Sequence, residues 1–193
     1  LHYCLAYYFQ KNSNHDLYVI LDISERLKPF FEKQQLVDFT NKWFYHDHIK
    51  SDQKPDLDYL EKFEKKYNLD LWNIALNERI FYKHNENYKF QRNEILSILE
   101  SECRLFEKIL SDVNPDFLVS LDFGLHNSNL LTKICQKKGI KILSISVSKF
   151  TNRCYLSEFT DTLMDESVRD NQELSFQDLQ NLLSENNLSK SLN

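Results

Sequence analysis

The 193 residues include 41% hydrophobic and 13% aromatic side chains, enough to fill the core of one domain of ordinary size and to exclude disorder over the whole length. Twenty-four Lys and Arg are scattered among 29 acidic residues, and this balance of −5 argues against duplex nucleic acid as a partner. No run reaches the roughly 18 to 20 apolar residues of a membrane span, and no charged n-region precedes an apolar one, so neither a transmembrane segment nor an export signal is expected.

Taken in chain order, Leu1 to Asn12 places Leu1, Leu5, Tyr8 and Phe9 at helical spacing. After a polar turn, Leu17 to Ile23 is a short apolar run of the kind that forms a strand buried on both faces. A helix passing directly into such a strand is half of a βαβ unit, so a strand ahead of Leu1 is expected. Ser24 is read as the cap of a short helix reaching Glu32, with Pro29 awkward inside it. Leu36 to Phe39 and Lys42 to His46 offer a further strand. From Asp56 to Asn85 two helices meeting near Asn68 are expected, carrying Leu57, Leu60, Phe63 and Tyr67, then Leu71, Ile74, Ala75 and Glu78 at helical spacing.

The clearest helix is Asn93 to Val113, with Asn93 as N-cap and a stripe of Ile95, Leu99, Glu102, Phe106, Leu110 and Val113. Phe117 to Leu121 reads as a buried strand, Ser128 to Lys138 as a helix closed by Gly139, and Ile140 to Val147 as the next strand. Strand, helix and strand within about 30 residues is the length of a βαβ unit. Arg153 to Phe159 offers one more extended segment, and Ser175 to Asp178 is a capping box opening a last helix to about Glu185. The expected fold class is α/β, a Rossmann-like three-layer domain with a parallel sheet over 1–160, followed by a polar helical tail or linker over 161–193. Cys4, Cys103, Cys135 and Cys154 lie far apart without metal-ligand spacing and read as reduced, mostly buried thiols.

Several stretches together carry a family likeness: the passage His2 to Asp22, the run Lys42-Trp-Phe-Tyr-His-Asp-His48, the segment Asn77-Glu-Arg-Ile-Phe-Tyr82, and Glu94 to Asp116. To about Glu158 the chain resembles the N-terminal domain of archaeal and bacterial surface or capsule polysaccharide biosynthesis proteins, which look like two-domain GT-B-type glycosyltransferases. The resemblance implies a cytoplasmic acceptor-side domain, peripheral at the inner membrane face, that meets a carbohydrate or lipid-linked acceptor. It also implies a C-terminal nucleotide-sugar-binding domain beyond Asn193, hence a nucleotide-sugar donor for the full-length protein, no cofactor in this piece, and no turnover by this piece alone. A nucleotide-sugar 2-epimerase-like domain and a non-catalytic α/β regulatory domain are the rival readings.

In an open α/β sheet, ligands gather at the carboxyl ends of the strands. There, Asp122 or His126 is read as the catalytic base for an acceptor hydroxyl and Asn127 as a substrate contact, against a loop that only caps a helix. Ser148, Asn152 and Arg153 follow the next strand, with Arg153 suited to a carboxylate or phosphate, against a plain surface arginine. His46 and His48 would point the same way on a strand, but no third ligand of matching spacing accompanies them, so they are read as substrate contacts at a cleft edge with no metal. Glu78 and Arg79, on a helix beside Phe81 and Tyr82, either face the cleft or form local ion pairs. Trp43 and Trp72 suit sugar stacking or the core. With two glycines the chain holds no GxGxxG, P-loop or GxSxG motif.

Overall fold

A computed structural model describes residues 2–76, 78–82, 88–121, 125–147, 154–159 and 162–163. The chain divides into two units, Leu1–Thr162 and Leu163–Asn193, and all but one of the described residues belong to the first. The Ser175 helix and nearly all of the 161–193 tail lie outside the described residues.

Helix α1 (His2–Asn12) leads into β1 (Tyr18–Leu21), which pairs in parallel with β2 (Asn41–Phe44), Tyr18 opposite Asn41 and Leu21 opposite Phe44. Two expectations change here. Tyr8 points to solvent rather than inward, and β1 is shorter and only half covered, with Leu21 alone fully buried. The intervening α2 (Lys28–Lys33) starts later than Ser24, with Leu27 at its cap and Pro29 in its first turn. That position suits proline, whose missing N–H would have no intrahelical partner there. Leu36 to Phe39 is not a strand, and Tyr45–Asp47 turns into a 3-10 helix directly after β2.

The helical middle comprises α3 (Leu57–Tyr67), α4 (Leu71–Leu76) and α5 (Arg79–Tyr82). Asp56 caps α3 by accepting from the Tyr59 N–H at 3.0 Å, and Asn68 closes it in the left-handed region at φ 49°. Helix α6 (Arg92–Val113) is capped by Gln91 rather than Asn93, because Glu94 reaches back to accept from the Gln91 N–H at 2.6 Å. Its apolar stripe, including Ile95, Leu99, Phe106 and Leu110, forms the centre of the core with Phe63, Ile74, Leu130 and Ile134. Cys103 and Cys135 are buried in this core, while Cys4 is exposed.

Strand β3 (Phe117–Leu121), helix α7 (His126–Lys138) and strand β4 (Lys141–Val147) form the expected βαβ unit, with β3 and β4 parallel and Phe117 opposite Lys141. Gly139 ends α7 at φ 74°, and the Ile140 N–H bonds back to the Cys135 carbonyl at 3.0 Å. The expected parallel pairing holds for β1–β2 and β3–β4, while β5 (Cys154–Phe159) returns antiparallel to β4 with Val147 opposite Cys154. The second sheet runs β3-β4-β5 with the short β6 (Thr162–Leu163) at its edge, and the fold is mixed α/β with short parallel pairings. Among the described residues no helix is long and apolar enough to cross a membrane.

Leu99 is wholly inaccessible at the middle of α6. Leu99→Ala should cost about 2–5 kcal/mol of unfolding free energy in urea titration. A loss under about 0.5 kcal/mol, the level of a surface change, would contradict its central place in the core.

Candidate functional site

The carboxyl ends of β1 and β2 and the start of α7 converge on a set of polar side chains that the sequence scatters over more than 100 positions. Asp22 follows β1 directly, and its Oδ1 lies 3.0 Å from His46 Nε2 in the 3-10 turn after β2. Its Oδ2 accepts a hydrogen bond of 2.9 Å from Asn127 Nδ2 in the first turn of α7. Asp22 and His46 are both substantially open to solvent, with side chains 40% and 54% exposed, whereas Asn127 is buried.

Behind this rim lies a second, enclosed group. Glu78 accepts from the His126 backbone N–H at 2.9 Å, and its Oε2 also lies 2.7 Å from His126 Nδ1. On the other side of the ring, His126 Nε2 stands 2.8 Å from Glu102 Oε1, close enough for an ion pair though not aligned as a hydrogen bond. The Tyr45 hydroxyl donates to the same Glu102 oxygen. Asn127, next in the chain to His126 and bonded to Asp22, joins the enclosed group to the rim. Glu102 is fully inaccessible, the His126 side chain is 10% exposed, and Phe81 packs over the imidazole at 4.9 Å between centroids.

Electrostatics fix the charge of this group. Burial works against a charged His126, but contacts to Glu102 and then Glu78 outweigh it and raise the imidazole from 6.5 to about 9. Burial likewise opposes the Glu78 carboxylate, but its bonds from the His126 backbone and ring hold it below the usual range. Tyr45 is pushed well above an ordinary phenol by burial and by the Glu102 charge, so it remains a donor. His126 is therefore a clamped imidazolium at neutral pH, with no lone pair to offer a substrate.

The sequence-based candidates separate accordingly. His126, Asn127, Glu78 and His46 come together, while Arg79 is exposed on α5 and His48 lines a groove along α6 instead. Glu78 was expected on a continuous helix, but it lies just ahead of α5, where its carboxylate accepts from the Ile80 N–H at 3.2 Å. On a strand His46 and His48 would have shared a face; the strand stops at Phe44, and the turn removes that geometry. Asp122, Ser148, Asn152 and Arg153 lie outside the described residues. Trp43 and Trp72 are half-buried against the core.

Sequence reasoning passed over Asp22, Tyr45 and Glu102 as site residues. Asp22 carried a usable signal as an acid directly after an apolar strand, and Glu102 as a lone carboxylate in an apolar helical stripe. Comparison with protein-family models, curated proteins and solved structures finds no match to this chain.

Because the folded His126 value lies above the unfolded one, its contribution to stability is complete below about pH 6.5 and is lost as pH rises through about 9. Glu78 acts in the opposite sense, its contribution being present above about 4.5 and lost in acid. An NMR titration of the His126 ring should give a midpoint near 9, and Glu78→Gln should lower it. Unfolding free energy should fall by on the order of 2 kcal/mol between neutrality and that midpoint. A midpoint at or below an ordinary imidazole value would show that the ion pairs do not form.

Proposed function

We propose that this chain is the Rossmann-like, acceptor-side domain of a GT-B-type glycosyltransferase of cell-surface polysaccharide synthesis, and that His46 is its base. The observation that carries the reading is the open Asp22–His46 pair at the carboxyl ends of two parallel strands. Ligands collect at this edge of an α/β sheet, and the family resemblance of His2 to Glu158 points to the same chemistry.

The Asp22 carboxylate 3.0 Å from Nε2 favours the proton on that nitrogen of His46 and leaves the Nδ1 lone pair for an incoming proton. No described residue bonds to that nitrogen. In the transfer, His46 Nδ1 takes the proton of the acceptor hydroxyl as its oxygen attacks the anomeric carbon. The bond from that carbon to the nucleotide diphosphate breaks, and the diphosphate leaves with the electron pair. Groups that neutralise it belong to a donor-binding domain outside these residues. Asn127 holds Asp22 in place, and the ion-paired His126 next to it in the chain anchors that turn, a supporting part that suits a clamped His126 better than the role of base.

In the full-length protein, supplied with nucleotide-sugar donors and hydroxyl acceptors, His46→Ala should lower kcat by about 100- to 10,000-fold. The 193-residue chain alone should not turn over. Transfer by this chain alone would overturn the two-domain reading, and undiminished activity in His46→Ala would remove His46 from the chemistry. Donor conversion with no acceptor present would mark epimerisation instead.

A further inference from the structure

Along one face, α6 carries the buried Ser97 and then Ser101, Arg104 and Lys108, residues three or four apart. Together with His48 and Lys50 they border an open groove of about 270 Å³ above Leu105. The loop bearing Lys50 is fastened to this face: Ser97 Oγ donates to the Lys50 carbonyl at 2.9 Å, and the Lys50 N–H donates to Ser101 Oγ at 3.2 Å.

The charges in the groove are unequal in their partners. Arg104 is committed, with Nε 2.8 Å from Glu100, a second contact of 3.4 Å to Asp56, and its guanidinium stacked 3.8 Å from the Tyr59 ring centroid. Glu100, the groove's one carboxylate, is occupied by Arg104 and by the Asp56 N–H at 2.7 Å. Neither the Lys50 nor the Lys108 ammonium pairs with any described residue. Two uncompensated cations facing one concavity, in a chain of net charge −5, form a local inversion of its electrostatics.

We infer that this groove binds a phosphate or diphosphate group through Lys50 and Lys108. Ammonium groups act as point charges and suit the tetrahedral, multiply charged phosphate, whereas the planar fork of Arg104 is already engaged. His48 lies on the groove and only two residues beyond His46, a span of at most about 7 Å of backbone. The inference rests on the transferase reading for its meaning: the acceptor carries a phosphate whose anion seats in the groove while its hydroxyl meets His46.

The test needs no turnover, so its outcome is separate from that of the His46 assay. The chain is titrated with inorganic pyrophosphate by calorimetry and by NMR, and in parallel sedimented with phosphatidylcholine vesicles with and without phosphatidic acid. The native chain should bind pyrophosphate saturably, with shifts centred on Lys50, Ser101 and Lys108. Lys50→Ala/Lys108→Ala should weaken binding at least about tenfold, while the equal-charge control Lys137→Ala/Lys138→Ala should not. Far-ultraviolet circular dichroism verifies that both variants remain folded. Pyrophosphate binding alone upholds the groove with a soluble phosphate compound as ligand. Added retention on phosphatidic acid vesicles, lost in the Lys50/Lys108 variant, upholds it with a lipid-linked one. Absence of saturable binding, or equal weakening in the control, overturns it.

Discussion

An imidazolium held between two buried carboxylates is the interaction on which the rest of the described structure depends. His126 opens α7, Glu102 sits in the middle of α6, and Glu78 stands ahead of α5, so one ring ties two helices to the residue that leads into a third. The Tyr45 hydroxyl adds a further donor to Glu102. Charges this deep persist only when each has its partners, and deletion of one partner commonly costs about 3–5 kcal/mol. Because His126 and Asn127 are adjacent, fixing the first also fixes the second, and with it the orientation of Asp22.

Burial then sorts the polar residues into two classes. Those inside, Glu78, Glu102 and His126, are one another's polar partners, with the Glu78 pKa lowered and that of His126 raised by their contacts. Those on the rim, Asp22 and His46, keep access to solvent and hence to a ligand. Helix α6 belongs to both regions: Glu102 faces the enclosed group, while Ser97, Ser101 and Lys108 face the groove. At 1.5 Å per residue its 22 residues form a rod of about 33 Å, which sets the two regions in one rigid frame.

Local signals account for what was legible in the chain. The Phe117 to Leu121 run, the glycine at 139 and the stripe through Leu99 state their own structure, because periodicity and backbone restriction act over a few residues. The Gln91 cap escaped notice because Asn93 is the stronger N-cap by residue type, while the i, i+3 spacing to Glu94 marks Gln91. The 3-10 turn at Tyr45 escaped because a strand-like run of aromatic residues carries no stop signal before Asp47. Half of the site was visible as polar residues after strands. The remainder was not, since Glu102 and His126 are 24 positions apart and Asp22 and Asn127 are 105 apart. Such pairings are decided by packing and leave no local trace.

One oxygen of Glu102 has no hydrogen-bond partner among the described residues, although it is sealed from solvent. That atom makes position 102 unforgiving in descent. A neutral amide there would release the imidazolium from one of its two counter-charges, while an apolar residue would strand both His126 and Tyr45. Lineages carrying this chain are thus expected to change positions 45, 78, 102 and 126 in concert or not at all, a covariation imposed by desolvation rather than by any reaction.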